Sequence, residues 1–266
     1  MKLETSTTSA WLLLFKAGVR REIATPAALF SQGAFLWLVL FIFSRLWESA
    51  FRSGFSASES PADYVWYLLV TELVILCSPQ IFRNMQKEVR SGDVIQRFMK
   101  PVAYPGLFYF EGLGIAMVRL LFLGSSGSVF AALFSGGLPQ SAVGFVTALV
   151  LVPFAISVLL LFYASIGLLS IWMYDAMPVY WIFSKANFVL GGLMIPVSVY
   201  PLWLQKISVC TPFYAILFSP ASHVLLSTTP GVGSSLCLLC LWFIVGVALL
   251  GWLYDRMAST IELGWG

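Results

Sequence analysis

The sequence predicts an all-α integral membrane protein forming one domain over residues 1–266: six transmembrane helices, an amphipathic interfacial helix before the first, short helices between spans two and three, and a re-entrant hairpin between spans five and six. Three observations lead there. Of the 266 residues, 59% are hydrophobic and 10% charged, against about 25% charged in a soluble chain, and the mean hydropathy is +0.90. The 22 Phe, 10 Trp and 10 Tyr, on so few charges, would leave apolar patches that aggregate in water. At about 20 residues per crossing the chain holds about five to seven spans and short connectors, which excludes a large extramembranous catalytic domain.

Residues 9–22, SAWLLLFKAGVRRE, open on Ser9 as a helix N-cap and set Trp11, Leu12, Phe15 and Val19 on one face, with Lys16 and Arg20 beside it. That is the pattern of a helix in the headgroup layer. From Ile23 to Ser44 no charge occurs, enough for span one, with Pro26 tolerated in its first turn. A polar stretch, Arg45 to Asp63, precedes span two, Tyr64 to Phe82, which is apolar apart from Glu72. Residues 83–103 form the most charged connector. Span three, Tyr104 to Phe134, carries Glu111 and Arg119; Gly136, Gly137 and Pro139 mark a turn before span four, Ala142 to Trp172. Asp175 and Pro178 punctuate the next connector, and span five starts near Val179 and loses regularity at Pro196. Residues 195–226 are too broken by Pro for one straight helix and too apolar for a solvated loop. Irregular backbone in hydrocarbon must be packed against other spans or line a cavity, so a hairpin dipping in from one side is expected here. Span six runs from about Gly233 to Tyr254.

Six spans place both termini on one side. That side holds Lys2, Lys16, Arg20, Arg21, Arg83, Lys87, Arg90, Arg97, Lys100 and Arg256, and the other Arg45, Arg52 and Lys206; the positive-inside rule makes the first side cytoplasmic. The polar start, Met1 to Ala10, does not read as a cleaved leader. Cys237 and Cys240 have C-x-x-C spacing within SLCLLCLWFIVG, a membrane-type run in which cysteine acts as a small hydrophobe rather than a metal or redox ligand.

The connector FRNMQKEVRSGDVIQRFMKPVAYP shows ordered punctuation. Arg83 to Arg90 suits a helix, Gly92 the left-handed position beyond its end, and Asp93 the cap of a second helix with Gln96 at N3, which Pro101 stops. Two short, rigid helices joined at Ser91 and Gly92 make a docking surface rather than a simple linker.

Glu88, Arg90, Gly92, Asp93, Arg97, Lys100 and Pro101, between spans two and three of a six-span chain, resemble the coupling segment of type-2 ABC export permeases. Residues 191–220, GGLMIPVSVYPLWLQKISVCTPFYAILFSP, are similar to that family's fifth span and re-entrant hairpin, and the N-terminal helix is similar to its connector helix. Within that family the chain resembles the daunorubicin-type and viologen-type multidrug exporter subunits of bacterial cytoplasmic membranes. The resemblance implies a permease that binds no ATP itself; ATP and Mg would sit on a separate dimer of ATPase subunits, gripping the helix around Glu88, and a second permease, identical or paralogous, would complete the route through membrane lipid. The chain has no Gly-Lys dipeptide, so the G-x-x-x-x-G-K-[ST] phosphate loop is absent.

Within the spans, Glu72, Glu111 and Arg119 are costly in hydrocarbon and should face protein or water, as a translocation-route site or as structural ion pairs. Glu111 and Arg119 are eight residues apart, about 80° around and 12 Å along a helix, so their partners lie on other elements. His223, the single histidine, has no carboxylate nearby in sequence. An intramembrane enzyme would need paired Asp, Ser with His, or H-E-x-x-H within spans, and a secondary transporter more intramembrane carboxylates and an internal repeat. A non-transporting structural or regulatory membrane partner stays open on these residues, and nothing points to nucleic acid.

Overall fold

The computed structural model describes residues 7–54, 59–94, 96, 103–135, 137–225 and 231–263. All regular structure among them is helical. Helix α1 (Thr7–Ile23) contains Ser9, so that residue is not its N-cap. The chain turns at Ala24 and Thr25, and α2 (Pro26–Arg52) starts with Pro in its first turn, where the missing N–H has no helical partner to lose. The first span runs past the charge-free stretch to Arg52. Glu48 pairs with Arg45 at 3.1 Å and Arg52 at 2.6 Å, one turn away on either side. This charged ladder lets the helix continue where a polar loop was expected.

Helix α3 (Pro61–Cys77) begins with a capping box: the Ser60 hydroxyl accepts from Asp63 N, and the Asp63 carboxylate accepts from Ser60 N at 3.0 Å. Every residue from Asp63 to Val74 is buried, which makes α3 the central strut. The expected second span is divided. Pro79 holds Ser78 extended (ψ 109°), and the chain resumes as α4 (Ile81–Ser91). Helices α5 (Tyr104–Phe134) and α6 (Ala142–Leu169) start where the sequence places them, α6 under a Ser141 hydroxyl that accepts from Gly144 N at 2.9 Å.

The fifth span is shorter than expected. Helix α7 (Met177–Leu190) has 14 residues, about 21 Å of rise against about 30 Å of hydrocarbon. The hairpin follows: α8 (Leu202–Val209) meets a helical segment, Tyr214–Val224, at 90°, and α9 (Val232–Leu263) closes the described chain. The helices α2, α3 with α4, α5, α6 and α9 are long and apolar enough to cross a membrane, and the bent pair makes up to a sixth crossing.

Helix α1 does not lie free on a surface. It runs alongside the first half of α5 in the same direction, Trp11 stacked on Phe110 (4.6 Å between ring centroids) and Glu22 reaching Arg119, the most extensive helix pairing among the described residues. Glycines permit it: a Cβ on Gly18 would overlap the Glu111 carbonyl oxygen, and one on Gly114 the Phe15 carbonyl oxygen. Helix α2 continues along the second half of α5 through Phe30 on Phe122 and Trp37 on Phe130.

Contacts place Gly92, the start of α1, the 170–176 connector and the far part of α9 at one end of the bundle. Met85 abuts Gly167, and α9 runs with α6 through Phe243 on Phe154 and Gly246 on Leu161. The other end gathers Trp47 on Tyr64, Asp63 accepting from Gln140 N at 3.1 Å, and the His223 carbonyl against Gly144.

Candidate functional site

Helix α4 is amphipathic across its width. Ile81, Phe82, Met85 and Gln86 are buried, Phe82 stacking on Tyr180 with centroids 4.4 Å apart. The opposite face exposes Arg83, Asn84, Lys87 and Arg90, a cationic strip. Glu88 is half-buried beside this strip rather than at its centre. Gly92 ends the helix at φ +80°, the left-handed region that favours glycine, and its N–H donates to Val89 O at 3.3 Å. Asp93 accepts from the Ser91 hydroxyl at 2.6 Å. Arg97, Lys100 and Pro101 lie outside the described residues.

Arg90 is not a free surface cation. Its Nε donates to the Tyr174 carbonyl at 3.0 Å, the guanidinium sits 4.6 Å from the Tyr174 ring centroid, and Asp175 is 3.4 Å away. One turn earlier, Gln86 donates to Asp175 Oδ1 at 2.9 Å and accepts from Ala176 N at 3.3 Å. Asp175 Oδ1 also accepts from Met177 N at 2.9 Å, at the first turn of α7. The Met177 amide, then Gln86, then the Arg90 charge hold this carboxyl below its ordinary range. Gln80, in the break before α4, donates to the Tyr180 hydroxyl at 2.7 Å. The candidate coupling helix is thus clasped to the connector before α7 and to α7 itself. Gln80, Gln86, Tyr174 and Tyr180 went unnoticed in the sequence, and Asp175 served there only as punctuation. Its place two residues before a helix start is the one local signal, because a carboxylate there favours the exposed amides.

The charged residues of span three find their partners on α1. Arg119 Nε donates to Glu22 at 2.8 Å and its NH1 to Leu76 O at 3.4 Å; Arg21 donates to Glu111 at 2.8 Å. The first pair is nearly dry, with side chains 15% and 5% exposed, and the second is open, with Arg21 59% exposed. All four line a cavity of about 290 Å³ beside Gln80 and Asn84, at the level where both α1–α2 and α3–α4 break. Glu72 does not line it; it is buried on α3. Among the described residues no group of three or more metal-ligating side chains converges, and the four cysteines are free.

Tyr67 and Thr71 of α3 donate to the carbonyls of Gly192 (2.5 Å) and Leu193 (2.7 Å) at the far end of α7. His223 Nε2 lies 2.9 Å from the Ser235 hydroxyl, with both residues buried. This pairing, unread from the sequence, ties the hairpin to α9. Neither group reaches solvent, which leaves a structural tie rather than a nucleophile and base.

No curated protein matches the chain. The sequence profile described as ABC-2 family transporter protein matches residues 29–260, from early α2 to late α9, so it takes in the divided second span, the hairpin and the whole clasp, while α1 precedes it. The match spans most of the chain, which therefore belongs to the ABC-2 transporter family and is the membrane component of an ABC transporter, a kind of subunit that works with a separate ATPase.

Proposed function

We propose that the chain is the permease of an ATP-driven exporter in a bacterial cytoplasmic membrane, with both termini and α4 on the cytoplasmic side. It moves a hydrophobic or amphipathic substrate outward from the cytoplasm or inner leaflet. ATP and Mg bind a partner ATPase dimer, and a second permease, identical or paralogous, completes the route. The observation that carries this reading is α4: a short helix seated by a buried apolar face, stopped at Gly92, and presenting Arg83 and Lys87 outward at the end of the bundle. A cationic strip on a stiff support fits an acidic cleft, and a stiff support transmits displacement.

The test is co-purification with the ATPase subunit, followed by Lys87→Glu and Arg83→Glu. Both residues are exposed, so reversal should leave membrane insertion and yield intact while association and ATP hydrolysis fall, with the loss deepening at high salt. Parent-like association of the double reversal would remove α4 as the docking surface.

A further inference from the structure

Helix α7 is weakly packed for its length: among its residues only Tyr180 and Asn187 are buried, while Trp181, Ile182, Phe188 and Val189 are exposed apolar side chains. Its apolar packing is confined to one side, where Phe183 rests on Phe162 and Tyr163 of α6 and on Phe213 of the hairpin, and polar contacts at its two ends add to that hold. At the near end stand Gln80 on Tyr180, Gln86 on Asp175 and the Ala176 amide, and Arg90 on the Tyr174 carbonyl. At the far end stand Tyr67 on Gly192 and Thr71 on Leu193. Each of these contacts ties the α7 region to the same span, α3 with α4, while Tyr180 also bonds the Tyr163 hydroxyl of α6.

We propose that α7 is carried by α3 and α4 as one body, and that Gln80, Gln86 and Tyr180 are positioning residues that pass the displacement of α4 to the exposed face of α7. This rests on the reading of α4 as the ATPase-docking helix. Two clamps far apart along a stiff helix suppress both sliding and tilting. One clamp would leave α7 free to pivot. Lysine 185 rides on the carried face, its Nζ 5.6 Å from the Trp181 ring centroid, so displacement of α4 would move a cation and several aromatic side chains together.

The test uses the complex with its ATPase subunit, in a background with Cys77, Cys210, Cys237 and Cys240 replaced, and Ile182→Cys on α7 as reporter. Maleimide labelling is timed with and without ATP plus vanadate. The parent background should change its labelling rate at least ~threefold on trapping. In Tyr180→Phe, which keeps the ring stack on Phe82, combined with Gln86→Ala, the change should collapse while ATP hydrolysis continues. Tyr180→Phe alone should give an intermediate loss and serves if the double variant does not accumulate. A full rate change in the variants would overturn the clasp as transmitter, and no change in the parent despite vanadate-sensitive hydrolysis would show that α7 does not follow α4. If the chain neither binds nor stimulates the ATPase, α4 itself is misassigned and both proposals fall.

Discussion

Gly114→Ala puts one methyl group where α1 and α5 approach most closely. The new Cβ would overlap the Phe15 carbonyl oxygen and stand 3.0 Å from Val19 N, both backbone atoms of a helix that has no rotamer with which to yield. Restoring ordinary contact requires α1 to retreat by roughly 1 Å, and overpacking of this kind costs about 1–3 kcal/mol. Retreat would also stretch the pairs at Arg119 and Glu111, both now 2.8 Å. Helix propensity works the other way, Ala being favoured over Gly by about 1 kcal/mol, so about 1–2 kcal/mol of net loss is expected once the pairs loosen. Gly124→Ala is the internal control. It lies on the same helix with only Leu73 Cδ1 at 4.0 Å, so it should gain up to about 1 kcal/mol. Thermal unfolding of the two variants in one detergent reads the difference, expected as a few degrees down for Gly114→Ala and level or up for Gly124→Ala. Equal midpoints would refute the close approach of α1 to α5.

Glu22→Gln should destabilise by about 1–3 kcal/mol, because it takes the counter-charge from the largely buried Arg119 while leaving its Leu76 carbonyl partner, and Glu22→Leu with Arg119→Met should recover most of the loss in the same melt. Glu111→Gln should cost no more than about 1 kcal/mol, since its Arg21 partner is solvated. The Asp175 carboxyl is held below its ordinary value of 3.8, so what it contributes is present above that value and fades only as pH falls through the lowered one. Hydrogen exchange at the Met177 amide should therefore keep its protection from pH 8 to about 5 and lose it only in stronger acid, with Asp175→Asn abolishing that acid step. Gly92→Val has open space around it, so the expected fault is backbone strain of about 1–2 kcal/mol. It should lower ATPase stimulation without lowering yield, whereas Gly92→Asn, which tolerates the left-handed region, should retain both.

The spans were legible where a single signal decided them. An apolar run broken only by Glu111 and Arg119 and ended by Gly and Pro located α5 and the start of α6, and Gly92 announced its own conformation. Legibility failed where two signals conflicted. Arg45, Glu48 and Arg52 read as loop residues by charge, but their i,i+3 and i,i+4 pairing keeps them helical. Pro79 was overridden by the hydropathy around it, although it divides the second span. The headgroup-layer reading of α1 followed from its hydrophobic face and could not register that Gly106, under Trp11, and Gly114, under Phe15, open a groove on α5 that the Gly18 face of α1 enters. The clasp was invisible for another reason: Gln86 and Asp175 are 89 residues apart, and no local pattern reports a pairing made by the fold. The eight-residue spacing of Glu111 and Arg119 does show that their partners lie on other elements, and these are the adjacent Arg21 and Glu22 of α1.

The seam between α1 and α5 also imposes an order on biogenesis. Arg21 and Glu111 are separated by 90 residues, so at roughly 5–20 residues per second the ribosome spends about 5–20 seconds completing the stretch between them. Through that interval Glu22 has no Arg119, and the Gly18 face of α1 has no groove to fill. A nascent chain with its opening helix waiting is a substrate for membrane-embedded chaperones and quality-control proteases. Lesions at Gly18, Glu22 or Gly114 should therefore lower the steady-state amount of protein in cells by prolonging this wait, even where the finished molecule, once assembled, would be stable enough to function.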